Sequence, residues 1–351
     1  MRARLAVASN ALNCEDLPLP AANLAHRILL EEINAHASLV FSDSTDLAAL
    51  LQAIRSETSL PQDARTGWTE TVIRLKKQGR ITVTDDHPKP LAAVSRLPEL
   101  RSGWARHADV AIIASAACAM LDVPDTGVRS DPGVRPDVAT SSAVIEAGPL
   151  RRIQDLAERP LAAKGTNRDK FWQDVLKPLA AGARSTTILD RYLFKSVLDI
   201  AAGQPWARNW GGEHLGWLLG HLDEVMAPDS EVCLIGQCPA QYSSFSADDT
   251  AKAIQDMWKP SPSGRLAVVE LVLAPTSSGS KFPHDRHIRF GNGAAIGVTA
   301  GFDRLRAPRI TDDDGMEWSF SWRPESLHAL EKKEVRAAGF AHTSPAFVIR
   351  R

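Results

Sequence analysis

Short apolar runs alternate with segments of helical period along most of the chain, and this alternation restricts the sequence to an α/β architecture. In the first half, Leu5 to Ala8, Ser38 to Phe41, Arg80 to Val83 and Asp109 to Ala114 read as strands. Between them, Ala22 to Asn34, Asp46 to Arg55 and Trp68 to Gln78 carry apolar residues at helical spacing, and Gly79 follows the last as a C-cap residue would. The second half continues with strands at Ser142 to Glu146, Thr186 to Leu189, Glu231 to Ile235 and Leu266 to Leu273. Helices are predicted at Pro149 to Glu158, Arg168 to Ala180, Leu193 to Ala202, Glu213 to Val225 and Asp249 to Trp258. Finally, Arg286 to Phe290 and Ala295 to Thr299 flank Gly291-Asn292-Gly293, which tolerates positive φ, so these strands predict a hairpin.

A chain of 351 residues, 44% hydrophobic, can fill two ordinary cores. Residues 123–139, VPDTGVRSDPGVRPDVA, concentrate Pro, Gly and Asp without an apolar period and read as a solvated linker. The expected organisation is a smaller N-terminal α/β domain over residues 1–122, this linker, and a C-terminal α/β domain with a mixed sheet over residues 140–351.

The balance of 41 Lys plus Arg against 42 Asp plus Glu removes any whole-chain argument for nucleic acid or acidic membrane as partner. Cys14, Cys118, Cys233 and Cys238 are too scattered for a disulfide framework and show no zinc spacing, which points to the cytoplasm. The opening residues are interrupted by Ser9, Asn10 and Asn13 and read as a first strand, not a signal peptide. No apolar run is long enough to span a membrane. Gly-rich phosphate loops of the Walker or dinucleotide kind are absent, so neither an ATPase nor a nicotinamide enzyme is expected, and no cofactor is implied.

The segment Pro283 to Pro308, PHDRHIRFGNGAAIGVTAGFDRLRAP, combines strand, turn and charge. Within Lys281 to Arg309, six basic residues (Lys281, Arg286, Arg289, Arg304, Arg306, Arg309) face two acids (Asp285, Asp303), which outlines an anion site. Side chains alternate along a strand, so His284, Arg286 and Ile288 share one side while Asp285, His287 and Arg289 share the other. His284 and Arg286 can therefore converge on one phosphate, the imidazole as nucleophile or acid and the guanidinium as a bidentate clamp. The opposite trio reads as a solvated or dimer-facing surface.

His284-Asp285-Arg286, Ile288-Arg289-Phe290, Asn292-Gly293, Ile296, Gly301 and Asp303 together resemble the signature of the MIT C-terminal domain, a phospholipase D-like fold. The family's earlier Asp-x-Tyr element is matched by Asp190-Arg191-Tyr192, and its later Arg-Pro, preceding a helix, by Arg323-Pro324 and Glu325 to Ala337. The resemblance covers roughly residues 184–336. It implies His284, Arg286 and Asp190 as catalytic groups, Arg289, Asn292, Arg304 and Tyr192 as phosphate-binding groups, and no metal. Phospholipase D enzymes use His-x-Lys with an Asp five residues after the Lys, and two such motifs meet. Here Arg286 holds the Lys position, Gly291 the Asp position, and the chain supplies one motif. His87-Pro88-Lys89 repeats the spacing but carries Pro in the middle and reads as a loop coincidence.

What the resemblance implies is a homodimer that binds phosphodiester groups, in nucleic acid or at an anionic membrane surface. Similar domains in bacterial proteins look like parts of phage-defence systems, with defence proteins as partners and a metal-independent nuclease or phosphodiesterase as the activity. The alternative is a catalytically silent scaffold whose pocket recognises a headgroup or a partner's phosphate. A second alternative places a metal-dependent nuclease in the first half, with Asp43 and Asp109 holding Mg²⁺ as in PIN-like nucleases. Trp206, Trp210 and Trp217 around Gly211-Gly212 suit core and lid packing, or base stacking.

Overall fold

The structure, a computed structural model, describes residues 2–158, 160–204, 214–341 and 346–348. It is mixed α/β and contains two mixed sheets, each within its own compact unit, Arg2–Glu158 and Arg159–Arg351.

In the first unit the strands β1 (Ala3–Val7), β2 (Ala37–Phe41), β3 (Ile81–Val83), β4 (Val110–Ile113), β5 (Val128–Arg129) and β6 (Asp137–Thr140) lie in the order β3-β2-β1-β4-β6-β5. All are parallel to their neighbours except β5, which runs antiparallel to β6. Helices α1 (Leu19–His36), α2 (Ser44–Ser56), α3 (Gln62–Lys77), α4 (Leu97–Trp104) and α5 (Gly148–Glu158) accompany them. α1 buries Ala22, Ala25, Leu29 and Ile33, one helical stripe. α3 ends at Gln78, with Gly79 at φ +64° beyond it, as expected.

The segment 123–139 is not a free linker, because it supplies β5 and most of β6, with Val138 and Ala139 fully buried beside β4. Four residues of strand are too short for a period to show against the Pro and Gly around them. The compact units divide later, at Glu158. Ser142 to Glu146 is likewise not a strand: Val144–Glu146 forms a 3₁₀ turn.

The second unit holds β7 (Leu161–Ala162), β8 (Ser185–Leu189), β9 (Ser230–Gln237), β10 (Leu266–Ala274), β11 (His287–Phe290), β12 (Ala294–Val298), β13 (Met316–Ser321) and β14 (Ala346–Val348). Their order is β14-β10-β9-β8-β11-β12-β13-β7. The central β8, β9 and β10 are parallel and largely buried, and every other pairing is antiparallel. The expected hairpin is present, β11 and β12 being joined through Gly293 at φ +83°. The helices are α6 (Arg168–Phe171), running through a π turn at Trp172–Leu176 into α7 (Lys177–Ala180), then α8 (Lys195–Ala201), α9 (His214–Val225), α10 (Ala247–Met257) and α11 (Pro324–Ala338). α10 starts on a capping box between Ser246 and Asp249. Through Ala337, α11 meets the cluster of Leu189, Ile235, Val272, Ala274 and Phe282.

Candidate functional site

In open α/β sheets ligands sit beyond the carboxyl ends of parallel strands, where backbone and loop groups converge. Here β8 ends into Asp190-Arg191-Tyr192, β9 ends at Gln237, and β10 leads into the turn Thr276–Lys281. β11 runs antiparallel to β8, so its approach, His284 to Arg286, arrives at the same edge, as does Thr299 after β12. His284 and Arg286 precede the strand, which starts at His287.

Asp190 is 1% exposed and works as a bracket. It accepts hydrogen bonds from the Tyr192 backbone N–H at 2.9 Å and the Phe302 N–H at 3.0 Å, with Arg286 Nε 3.6 Å away. Burial pushes its carboxyl above the usual range, against the pull of those N–H groups and Arg286. Gly301, at φ +95°, lets the chain pass this carboxylate; a Cβ there would stand 3.2 Å from Asp190 Oδ2. Asp190 is thus the capping group that strand-end Asp residues often are, and it fixes the loop that carries Tyr192.

Arg191, whose sequence position carries no signature, is the centre of the cluster. Its Nε donates to Gln237 Oε1 at 2.8 Å, its Nη2 to the Gly279 carbonyl at 3.0 Å, and its Nη1 to His284 Nε2 at 2.7 Å. Gln237 is held in turn by donating to Ser278 Oγ at 2.7 Å. None of these partners is a carboxylate, and among the described residues Arg191 makes no ion pair within 4.0 Å. Arg286 donates to the Thr299 carbonyl at 2.5 Å. The Tyr192 ring, 44% exposed, has the Arg191 guanidinium carbon 5.8 Å and the Arg286 guanidinium carbon 5.9 Å from its centroid. Two guanidiniums, an exposed imidazole and a phenol therefore stand together.

An open groove of about 690 Å³ is lined by His284, Asp285, Arg286 and His287, and continues past Gly297, Glu317, Ser319 and Leu330. The expected solvated surface on the other side of β11 is instead packed under α11. His287 is 1% exposed and donates from Nε2 to Glu334 Oε1 at 2.9 Å. Arg289 Nε donates to both Glu334 oxygens, at 2.9 and 3.1 Å, and Lys333 pairs with Asp285 at 2.5 Å. Burial alone would raise the Glu334 carboxyl, but the hydrogen bonds and charges of Arg289 and His287 outweigh it and hold it low.

Arg289, Asn292 and Arg304 are not brought to the cluster. Arg289 is taken by Glu334; Asn292 lies at the far end of β11, 2% exposed, donating to the Leu179 carbonyl at 2.6 Å. Arg304 pairs with Asp312 at 2.8 Å. The positive excess counted along the sequence is therefore offset by acids outside that window, and Arg191 supplies charge the window omitted.

Asp43 and Asp109 cannot share a metal: β2 and β4 each run parallel to β1, so Asp43 follows one carboxyl end while Asp109 precedes the other strand's amino end. Asp43 caps α2, and Asp109 pairs with Arg4 and Arg135. No cluster of three or more metal-ligating side chains occurs among the described residues. His87 Nδ1 donates to the Ser42 carbonyl at 3.0 Å and Lys89 pairs with Glu99. Trp217 donates to Asp169 and packs against Trp172 and His221, while Trp206 and Trp210 lie outside the described residues.

Cys14 and His26, 2.9 Å apart, have the separation of a thiol–imidazole dyad with the opposite electrostatics. Trp68 Nε1 donates to His26 Nδ1, and burial drives the imidazole down to about 4 and the thiol up to about 11, so both stay neutral. Among the described residues no helix is long and apolar enough to cross a membrane. No family model matches the chain, and no curated protein matches it significantly.

Proposed function

We propose that the C-terminal unit is a phospholipase D-like, MIT C-terminal-like domain that binds phosphodiester groups at the Arg191–His284–Arg286 cluster. What supports this most is Arg191, whose charge is oriented by the Gln237 amide, the Gly279 carbonyl and the exposed His284 ring, none of them a carboxylate. A guanidinium not paired with a carboxylate keeps its attraction for an anion, and its planar fork suits phosphate oxygens. Arg286, braced by Thr299 and by Asp190, supplies the second charge across Tyr192.

The same contact limits His284 in the free protein. While Arg191 donates to Nε2, that lone pair is engaged. A phosphate that draws Arg191 onto its own oxygens releases Nε2 toward phosphorus. Hydrolysis would then run by attack of Nε2 on phosphorus, departure of the alcohol with a proton from the His284 of a second copy, and attack of water on the phosphohistidine. This reading requires a homodimer, a cytoplasmic setting and nucleic acid as the phosphodiester source, in keeping with a defence role. The silent-scaffold reading keeps the binding and omits the attack.

A metal-free nuclease assay with single-stranded and duplex DNA and RNA, on wild type and His284→Ala, separates the two. Turnover lost with His284→Ala supports the enzyme, and binding without turnover in both supports the scaffold. Equal turnover in both removes His284 from the chemistry.

A further inference from the structure

The opposite face of β11 carries a second arrangement of the same chemistry, already occupied. The Glu334 carboxylate lies in the fork of Arg289, with Nε at 2.9 and 3.1 Å from its two oxygens, and accepts from His287 Nε2 at 2.9 Å. An arginine fork and an imidazole N–H closing on two oxygens is how a phosphate is also held. We propose that His287 and Arg289 form a second anion site, for a phosphate group, which the chain's own Glu334 closes in this structure.

Three features make Glu334 a displaceable occupant. First, the groove of about 690 Å³ reaches the site, since it is lined by His287 and by Leu330, one helical turn before Glu334 on α11. Second, α11 has weak apolar anchorage along its length. Its buried side chains are Glu334 and Ala337, Leu327 and Leu330 are half-buried, and Val335 is 68% exposed. Third, the apolar contacts gather at the helix's C-terminal end, where Ala337, Ala338 and Phe340 meet Phe282 and the strand ends. The middle is fastened instead by charge, Lys333 to Asp285 and Glu334 to Arg289. α11 is thus hinged on apolar packing at one end and latched by ion pairs in the middle. A tethered carboxylate competes at high effective concentration, so a ligand must offer more charge than one carboxylate, as a phosphate dianion does. The site's anion-holding groups are His287 and Arg289 rather than Arg191, His284 and Arg286, and it opens on the same groove.

The test uses the full chain carrying Arg191→Gln and Arg286→Gln, which removes both guanidiniums of the first cluster. Inorganic phosphate is titrated calorimetrically with and without Glu334→Gln. The site predicts at least a tenfold gain in affinity from Glu334→Gln, abolished by adding Arg289→Gln. Unchanged affinity would overturn it. Hydrogen exchange of Pro324–Lys333 with Glu334 intact does not depend on how that variant folds. Exchange should quicken in phosphate relative to chloride at equal ionic strength, or with phosphatidic acid vesicles if a lipid headgroup is the source. Exchange unchanged by either overturns the proposal.

Discussion

Arg191 Nη1 and His284 Nε2 meet at 2.7 Å across 93 residues of sequence, joining the end of one parallel strand to the approach of an antiparallel one. The contact sets the guanidinium against the ring, and among the described residues neither side chain is within 4.0 Å of a carboxylate. Under the proposed function, an anion that enters takes Arg191 from His284.

Replacing Arg286 by Lys keeps the charge but loses the planar fork that reaches Thr299 and Asp190 together. Affinity for a dinucleotide should fall about tenfold for Arg286→Lys, a loss of about 1.4 kcal/mol, and further for Arg286→Gln. Isothermal titration at low salt measures both.

Asp190→Ala leaves the buried Phe302 N–H without an acceptor, at a cost of about 1–3 kcal/mol, and frees the half-buried Tyr192 N–H as well. A urea midpoint lowered accordingly is expected. Because burial raises the Asp190 carboxyl, its contribution is present below the ordinary value and is lost as pH rises through the folded value. Asp190→Asn should therefore be milder than Asp190→Ala at neutral pH.

His26 lies in the first unit, fully buried and pushed down from 6.5 to about 4. A lowered value means that the unfolded chain takes up the proton first, so the stability tied to neutral His26 is complete above pH 6.5 and gone by about pH 4. The loss is on the order of 3 kcal/mol, and His36, lowered to about 4 as well, adds to it. Thermal melts between pH 7 and pH 4 should show it, and His26→Leu should flatten the curve.

Much of the fold is legible because the largely buried β8, β9 and β10 leave apolar runs such as Leu266–Ala274, which only Glu270 interrupts. β13 escapes notice because Glu317 and Ser319 alternate with the buried Met316 and Trp318 after an Asp-rich loop. At the site, His284 and Arg286 are legible from alternation along one strand, and Asp190 and Tyr192 only through the family resemblance. Arg191 is not, because its role depends on Gln237 and Gly279 at the ends of other strands. Strand alternation correctly separates Arg289 from Arg286, yet it cannot show that Glu334, 45 residues on, covers that side.

The most direct measurement is the affinity of a short single-stranded oligonucleotide for the full chain and for Arg191→Gln, followed over a range of salt. The account predicts at least a tenfold weakening by Arg191→Gln and a shallower dependence of log affinity on log salt, because one phosphate contact is lost. Equal affinity and an equal salt slope in the two proteins would contradict it.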